Sequence, residues 1–378
     1  MALTNLFRKF FESNKSGGFV LVLATAVSLF LANSTFSTAY RAFWLIEFWE
    51  HSLTHWINDG LMAIFFLLIG LELEREIYVG ELSTVKKASL PLFGALGGML
   101  LPAGIFLIFN FGTPSAAGAG IPMATDIAFA IGILSLLGNR VPVALKIFLT
   151  ALAVIDDLGA ILVIAFFYTN ELSLIDLGIS LGIFALLLVL NRLKIRNLIL
   201  YLIGGIFMWY FMLHSGIHAT ITGILLAFAI PFGNGNEKST SYILQDNLHK
   251  PVAFIILPLF ALANTAIIIE NDWQQSLMSV ASIGIFLGLV LGKPIGIWVF
   301  CWCARKLHWA SLPKGLKWTH IFGAGCLGGI GFTMSIFIAL LAFDNPEMVD
   351  VAKISILFAS LTAVIIGFTW LKIALKHS

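Results

Sequence analysis

The sequence predicts an all-α integral membrane protein, because its composition, its apolar segments and the placement of its charges agree on that fold class. Of the 378 residues, 59% are hydrophobic and 11% are charged, against roughly 25% charged in an ordinary soluble domain. So little charge excludes a soluble globular protein, and so much apolar surface excludes a disordered one. The net charge is only +2, and no basic run is interleaved with aromatic residues, so we expect no nucleic acid partner.

Apolar windows that are long enough to cross a hydrocarbon core of about 30 Å as helices recur along the whole chain. We count twelve and refer to them as spans 1 to 12. In order, the spans are residues 17–33, 53–74, 89–110, 118–137, 143–168, 173–191, 197–213, 216–232, 251–269, 279–303, 319–342 and 350–375.

Lys and Arg fall almost entirely on one side of the predicted membrane. Of the 22 such residues, 19 lie at or between spans on one side, Arg41 and Lys353 lie on the other side, and Lys293 falls inside span 10. Because cytoplasmic loops carry the excess of Lys and Arg, both termini are expected to be cytoplasmic. A wrong number of spans would scramble this sorting, so the sorting also supports the count.

We expect a single membrane domain over residues 1–378, with a polar linker that separates eight spans from four. The predicted parts are an interfacial helix at residues 1–16, spans 1–8 at 17–232, a cytoplasmic linker at 233–250 and spans 9–12 at 251–375. A secretory signal peptide is the alternative for the N-terminus, since three positive charges precede a modest apolar run. Large apolar residues beside Arg8 and Lys9 favour the interfacial helix.

Four charged side chains fall near the middle of predicted spans. Asp126 is in span 4, Asp156 and Asp157 are in span 5, and Lys293 is in span 10. A charge at the centre of a spanning helix costs about 2.5 to 3.5 kcal/mol, so each one needs a partner, water or an ion. A purely structural ion pair stays open for Asp126 and for Lys293. It does not absorb all four charges, because three carboxylates exceed one lysine by two.

The adjacent Asp156 and Asp157 are the sharper indication of function. Two ionised carboxylates about 6 Å apart repel by roughly 3 kcal/mol at an effective dielectric constant near 20. Such a pair favours uptake of either a proton or a cation. Competition between the two for one site is the minimal chemistry of an antiporter.

Two spans carry residues that interrupt helices. Gly118, Gly120 and Pro122 precede Asp126 in span 4, and five glycines lie between residues 323 and 331 in span 11. Glycines also permit close helix packing, so one such segment alone is weak evidence. The two spans run in opposite directions, so spans 3–5 and 10–12 are expected to be inverted-topology repeats whose broken helices, spans 4 and 11, cross at the midplane.

The motifs resemble those of the NhaA-type bacterial sodium/proton antiporters over nearly the whole chain. The matching segments are ATDIAFAIG from Ala124, VIDDLGAI from Val154, GKPIG from Gly292 and GIGFTMSIF from Gly329. The resemblance implies exchange of cytoplasmic Na+ or Li+ for external H+ across a bacterial inner membrane, without a cofactor. It implies that the ion is bound by Asp157 and Asp156 with help from Thr125, that Asp126 stabilises the crossing, and that Lys293 pairs with Asp156. The excess of two carboxylates over Lys293 predicts that this exchange is electrogenic.

The resemblance also implies a pH-sensing region at the cytoplasmic end of span 2, which activates exchange at alkaline pH. Glu72, Arg75 and Glu76 lie there, with Asp59 deeper in the same span. A solvated helix end with local ion pairs is the alternative.

Two further positions belong to the same implied region. At the entry to span 9 a Glu is expected, but Gln245 occupies the position, with Asp246 beside it. That departure affects the pH threshold and not transport. His218 matches a position linked to the pH response, and a packing histidine is the alternative.

The sequence leaves the oligomeric state open. The loop over residues 33–52 has no Gly for the hairpin that joins dimers in this family, so a homodimer is neither predicted nor excluded.

A cation channel is the main alternative function and would need no proton counterflow. An intramembrane aspartyl protease needs carboxylates from separate helices that share a proton, whereas Asp156 and Asp157 lie on one helix.

Overall fold

The computed structural model describes residues 16–49, 51–168, 172–269 and 273–376, apart from the side chain of Phe166. The expected interfacial helix at residues 1–16 lies outside these ranges except for Ser16. Nearly all of the described chain is helical. The α-helices are α1 (Ser16–Ala32), α2 (Ser37–Trp44), α3 (Leu53–Tyr78), α4 (Val85–Asn110), α5 (Ile127–Leu136), α6 (Val143–Phe167), α7 (Leu174–Arg192), α8 (Leu198–His214), α9 (Ile221–Ala229), α10 (Thr240–Asn264), α11 (Trp273–Leu277), α12 (Val280–Lys306), α13 (Trp318–Gly328), α14 (Phe332–Ala342) and α15 (Pro346–Ala374).

The length and apolar character of these helices confirm an all-helical membrane fold. Within the described ranges, seven helices are long and apolar enough to cross a membrane, or up to nine spans if each of two bent pairs counts once. Helices α1 and α8 are apolar and have 17 residues each, which gives a length of about 25 Å. Span 8 was expected at 216–232, but α9 has only 9 residues. The count of twelve spans stays a prediction.

The C-terminal turns of α3, α7, α12 and α15 carry Arg75, Arg192, Lys306 and Lys372, respectively. Short connections make successive helices run antiparallel, so these turns lie at one end of the bundle. We call it the basic end.

Part of the expected linker at 233–250 is helical, because α10 begins at Thr240. Ser239 caps the helix by accepting a hydrogen bond from Tyr242 N at 3.3 Å, and Leu244 is buried on its inner face. A π-helical turn at Val252–Ile256 carries the helix past Pro251, a common way to absorb a missing backbone donor. The stretch is polar because one face of this helix is solvated.

The two broken spans cross as the glycines indicated. The first consists of a 3-10 helix, Pro114–Met123, and α5, bent by 42°, and the second consists of α13 and α14, bent by 48°. The backbone amide of Asp126 donates to Ile330 O at 2.7 Å. The two breaks are therefore joined directly, although they are about 200 residues apart in the chain.

Helices α4 and α12, which precede the two breaks, pack backbone against backbone. A Cβ atom added to Gly97 would lie 2.2 Å from Gly296 O, and one added to Gly296 would lie 2.1 Å from Gly97 O. Any larger residue at either position would push the helices apart. This contact fixes α12, and with it Lys293, beside the crossing.

A short antiparallel ribbon precedes α3, although no Gly is present to form it. Strand β1 (Glu47–Phe48) pairs with β2 (His51–Ser52). Trp49 takes the positive φ of 49° that a glycine would favour, and its side chain is exposed. The loop is therefore able to form a hairpin without glycine.

Candidate ion-binding site at the crossing of two broken helices

Asp126 lies at the N-termini of both α5 and α14. It is the N-cap of α5, where Oδ1 accepts a hydrogen bond from Phe129 N at 3.0 Å. Its Oδ2 accepts from Thr333 N at 3.2 Å and from the Thr333 hydroxyl. The first turns of two helices leave backbone donors and positive dipole ends there, so this carboxylate neutralises both.

Lys293 and Thr125 lie at the opposite, C-terminal ends of the two half-helices. The Lys293 ammonium donates to Met123 O, at the end of the 3-10 helix. The Thr125 hydroxyl lies 2.9 Å from Gly328 O, at the end of α13, and 2.8 Å from Asp156 Oδ2. Both side chains therefore join carbonyls at a broken helix end to the Asp156 carboxylate.

Asp156 and Lys293 form a fully buried ion pair, in which Nζ lies 3.0 Å from Oδ2. A π-helical turn at Gly288–Gly292 immediately precedes Lys293 in α12. Such turns are frequent at functional sites, because they rotate the following side chains relative to a regular helix. The pairing is the one that the family resemblance implies.

Asp157 has no comparable partner. Its side chain is 1% exposed, yet neither carboxylate oxygen has a hydrogen-bond partner among the described residues, and Asp156 Oδ1 has none either. A buried carboxylate without donors is unstable as a free anion. Binding of a proton or a cation removes this instability, so Asp157 has the chemistry of an exchange site.

The potential ligands beside these carboxylates are oxygen atoms. In the part of the chain that the structure describes, no group of three or more His, Cys, Asp or Glu side chains is arranged to hold a metal ion. Two aspartates, a threonine hydroxyl and nearby carbonyls supply oxygen ligands, which hard cations prefer. A monovalent cation as cargo fits this donor set.

A cavity of about 610 Å3, which we call the outer cavity, extends from the basic end towards the aspartates. Glu72 and Glu76 of α3 and His249 of α10 line its outer part. It also contacts Val154, one helical turn before Asp157, and Ile127, next to Asp126. Asp157 itself is not in the wall of this cavity.

Comparison with known proteins identifies the family. Residues 8–371 match the family described as Na+/H+ antiporter 1. The chain belongs to this family.

Relatives within the family cover nearly all of the chain. The Na(+)/H(+) antiporter NhaA 1 of Flavobacterium johnsoniae is 63% identical over 372 residues, 98% of each chain. The NhaA antiporter of Escherichia coli (strain UTI89) is 44% identical over 386 residues, also 98% of each chain. The solved sodium proton antiporter MjNhaP1 of Methanocaldococcus jannaschii is 17% identical with a TM-score of 0.53, over 96% of this chain and 92% of that one, and it supports the fold alone.

Family membership confirms several expectations at once. The chain is a sodium/proton antiporter and not an enzyme, it needs no cofactor, and it is a multi-pass protein of a bacterial inner membrane.

The outer cavity of this antiporter brings together residues of α3 and α10. Glu72 Oε1 lies 3.6 Å from His249 Nδ1. The Arg75 guanidinium lies 4.6 Å from the centre of the Tyr242 ring, and Glu76 Oε2 accepts a hydrogen bond from Glu81 N at 2.8 Å.

Gln245 and Asp246 lie differently relative to that cavity. Gln245, at the position where Glu was expected, is in the wall, whereas Asp246 is exposed and is not. His249, which lines the cavity and faces Glu72, was missed by sequence reasoning. Its position one turn after Gln245 on the same helix face was the signal that could have found it.

Asp59 and His218 lie apart from the carboxylates at the basic end. Asp59 is 13 residues before Glu72 on α3, a distance of about 20 Å along a helix. Asp59 Oδ2 lies 3.3 Å from His55 Nδ1, and His218 is within electrostatic range. His218 Nε2 is buried without a partner among the described residues.

Proposed function

We propose that this antiporter moves Na+ or Li+ out of the cytoplasm and protons in by competition at Asp157 and Asp156. The observation that carries the proposal is Asp157, which is buried with both carboxylate oxygens unpartnered beside a buried ion pair. Since a proton and a cation satisfy the same oxygens, binding of one excludes the other. Thr125 keeps Asp156 oriented towards the ion.

The charge balance supports exchange of two protons for one cation. Asp126 is satisfied by backbone and hydroxyl donors, which leaves Asp156, Asp157 and Lys293 to change state. A cation that enters between the two aspartates competes with Lys293 for Asp156. The second proton then comes from Lys293 or from Asp156, and Asp157 supplies the first.

Regulation is proposed for groups outside the crossing. The basic end faces the cytoplasm, with both termini there, because Lys and Arg accumulate on the cytoplasmic side. Exchange is activated at alkaline pH as His249 loses its proton and its pairing with Glu72 weakens, beside Arg75 and Glu76.

Three more expectations stay proposals. Asp246 at the cytoplasmic surface contributes to the same pH response, and Asp59 with His218 forms a second pH-responsive group towards the other end. Two copies form a homodimer through the ribbon of β1 and β2.

The decisive experiment is sodium-driven proton movement in proteoliposomes with an imposed potassium diffusion potential. One net charge across 100 mV corresponds to about 2.3 kcal/mol, so a potential that is negative inside the cell should accelerate sodium efflux. An initial rate that ignores the potential, when transport limits the rate, contradicts two-for-one exchange. Sodium flux without proton counterflow would favour a channel instead.

A further inference from the structure

Besides the aspartates at the crossing, a buried carboxylate lies at the basic end, on the side of α3 away from the outer cavity. Glu74 is only 3% exposed, and its Oε2 is buried without a hydrogen-bond partner among the described residues. No Lys, Arg or His of the described chain lies within 4.0 Å of its carboxylate. Its neighbours Glu72 and Glu76 line the outer cavity, and at 100° per residue Glu74 points to the opposite face.

Glu74 forms part of the wall of an open cleft of about 450 Å3. Aromatic side chains form much of the rest: Tyr78 and Phe232 have ring centres 5.0 Å apart, and Phe228 lies beside them. Asn191, at the end of α7, completes the wall. Its Nδ2 donates to Ala229 O at 3.0 Å, and its Oδ1 is able to accept hydrogen bonds.

These groups are suited to an organic cation rather than a metal ion. A small metal ion needs several oxygen ligands, whereas the cleft offers one carboxylate, amide groups and aromatic faces. An ammonium group donates a charge-assisted hydrogen bond to the Glu74 carboxylate and is attracted by the aromatic rings through cation–π interactions. A primary ammonium has three donors, which match the carboxylate, Asn191 Oδ1 and water.

We propose that this cleft binds a primary ammonium group through Glu74, Asn191 and the faces of Tyr78 and Phe232. Two sources supply that chemistry at the basic end of a membrane protein. One is the ethanolamine headgroup of a phospholipid, and the other is a free amine in solution. Tyr78 is 61% exposed at the end of α3, the level at which aromatic residues meet lipid headgroups.

The test measures binding of ethanolamine and of choline to the purified full chain, together with its thermal stability in nanodiscs of phosphatidylethanolamine or phosphatidylcholine. Choline carries a quaternary ammonium without N–H donors, so we expect it to bind at least about tenfold more weakly than ethanolamine. We expect nanodiscs with phosphatidylethanolamine to raise the unfolding temperature above that in phosphatidylcholine. Equal binding of choline and ethanolamine, with no lipid preference, would overturn the proposal without any variant.

Variants assign the effect to Glu74. E74Q should weaken binding by about tenfold to a hundredfold, while E237Q, which removes an exposed carboxylate from the loop after α9, should leave binding unchanged. E74D keeps the charge and should bind with intermediate affinity, which covers the case that E74Q does not fold. Loss in E74Q alone supports the site, and equal loss in E74Q and E237Q rejects it.

The ethanolamine-binding measurement and the nanodisc measurement together distinguish a free amine from a lipid headgroup as the ligand. Binding of free ethanolamine in lipid-free detergent identifies a headgroup that binds by itself. A preference for phosphatidylethanolamine without binding of free ethanolamine identifies the lipid as the ligand. Failure of both, or displacement of ethanolamine by equimolar Na+, rejects an ammonium site.

Discussion

Asp126 and Asp157 are both almost completely buried carboxylates near the crossing, with exposures of 2% and 1%, yet their surroundings are opposite. Asp126 accepts hydrogen bonds from Phe129 and Thr333 at two helix N-termini. Asp157 accepts none from the described residues. If Asp157 exchanges ions and Asp126 is structural, as we propose, burial alone does not distinguish the two kinds of carboxylate. The hydrogen-bond partners do, because a satisfied anion is stable without a proton or cation.

The largest expected effect is at Asp157. D157N should abolish sodium/proton exchange and leave the protein folded, because the amide keeps the volume but neither titrates nor supplies negative charge. D157E keeps the charge and should retain weak exchange. The measurement is sodium-dependent proton release by purified protein, with the unfolding temperature as the control for folding. Unimpaired exchange by well-folded D157N would contradict the site assignment.

The second-largest effect is expected from breaking the buried ion pair between Asp156 and Lys293. K293M removes the partner of a buried anion, for which the expected loss is about 3 to 5 kcal/mol in the free energy of unfolding. Adding D156N should restore much of that stability, since no unpaired charge is left. Thermal unfolding of the two single variants and the double variant checks this. Losses that simply add would show that the two side chains are not energetically coupled.

Asp126 is expected to behave differently from Asp157. Substitution of Asp126 should lower the stability of the protein more than it changes the affinity for ions. In D126N the amide nitrogen replaces one acceptor and faces the Thr333 donors, at a cost of about 1 to 3 kcal/mol. T333V removes only the hydroxyl donor and should cost less. Ion binding by calorimetry, measured on the folded fraction, should stay close to that of the wild type. A stable D126N protein without ion binding would place Asp126 in the ion site.

The smallest expected effect is on the pH profile. E72Q removes the carboxylate that attracts the protonated form of His249, so exchange should switch on at a pH lower by a few tenths of a unit, as expected for a partly exposed pair. The maximum rate should be unchanged. D246N, which is exposed and outside the cavity wall, is the matched control and should shift the profile less. Superimposable profiles for wild type and E72Q would favour a merely solvated helix end.

Local properties of the sequence predicted most of the fold. The linear sequence shows the apolar windows, the helix-breaking glycines and the four charges within spans. These features are local because a membrane requires each span to be apolar and each charge within it to have a partner. The same reasoning placed the crossing of the two breaks and the charges at it. It did not separate the start of α10 from the linker, because a capped helix with one buried face has the same polar composition.

Only the tertiary structure decided which charged groups have partners. Asp126 is satisfied by Thr333, which is 207 residues away in the chain, and hydropathy contains no information about such a contact. The rotation of α10 directs His249 towards Glu72 and leaves Asp246 exposed. Glu74 is buried where α3 packs against α9, beside Asn191 at the end of α7. Sequence determines that a charge within a span needs a partner, but the approach of distant helices determines whether it has one.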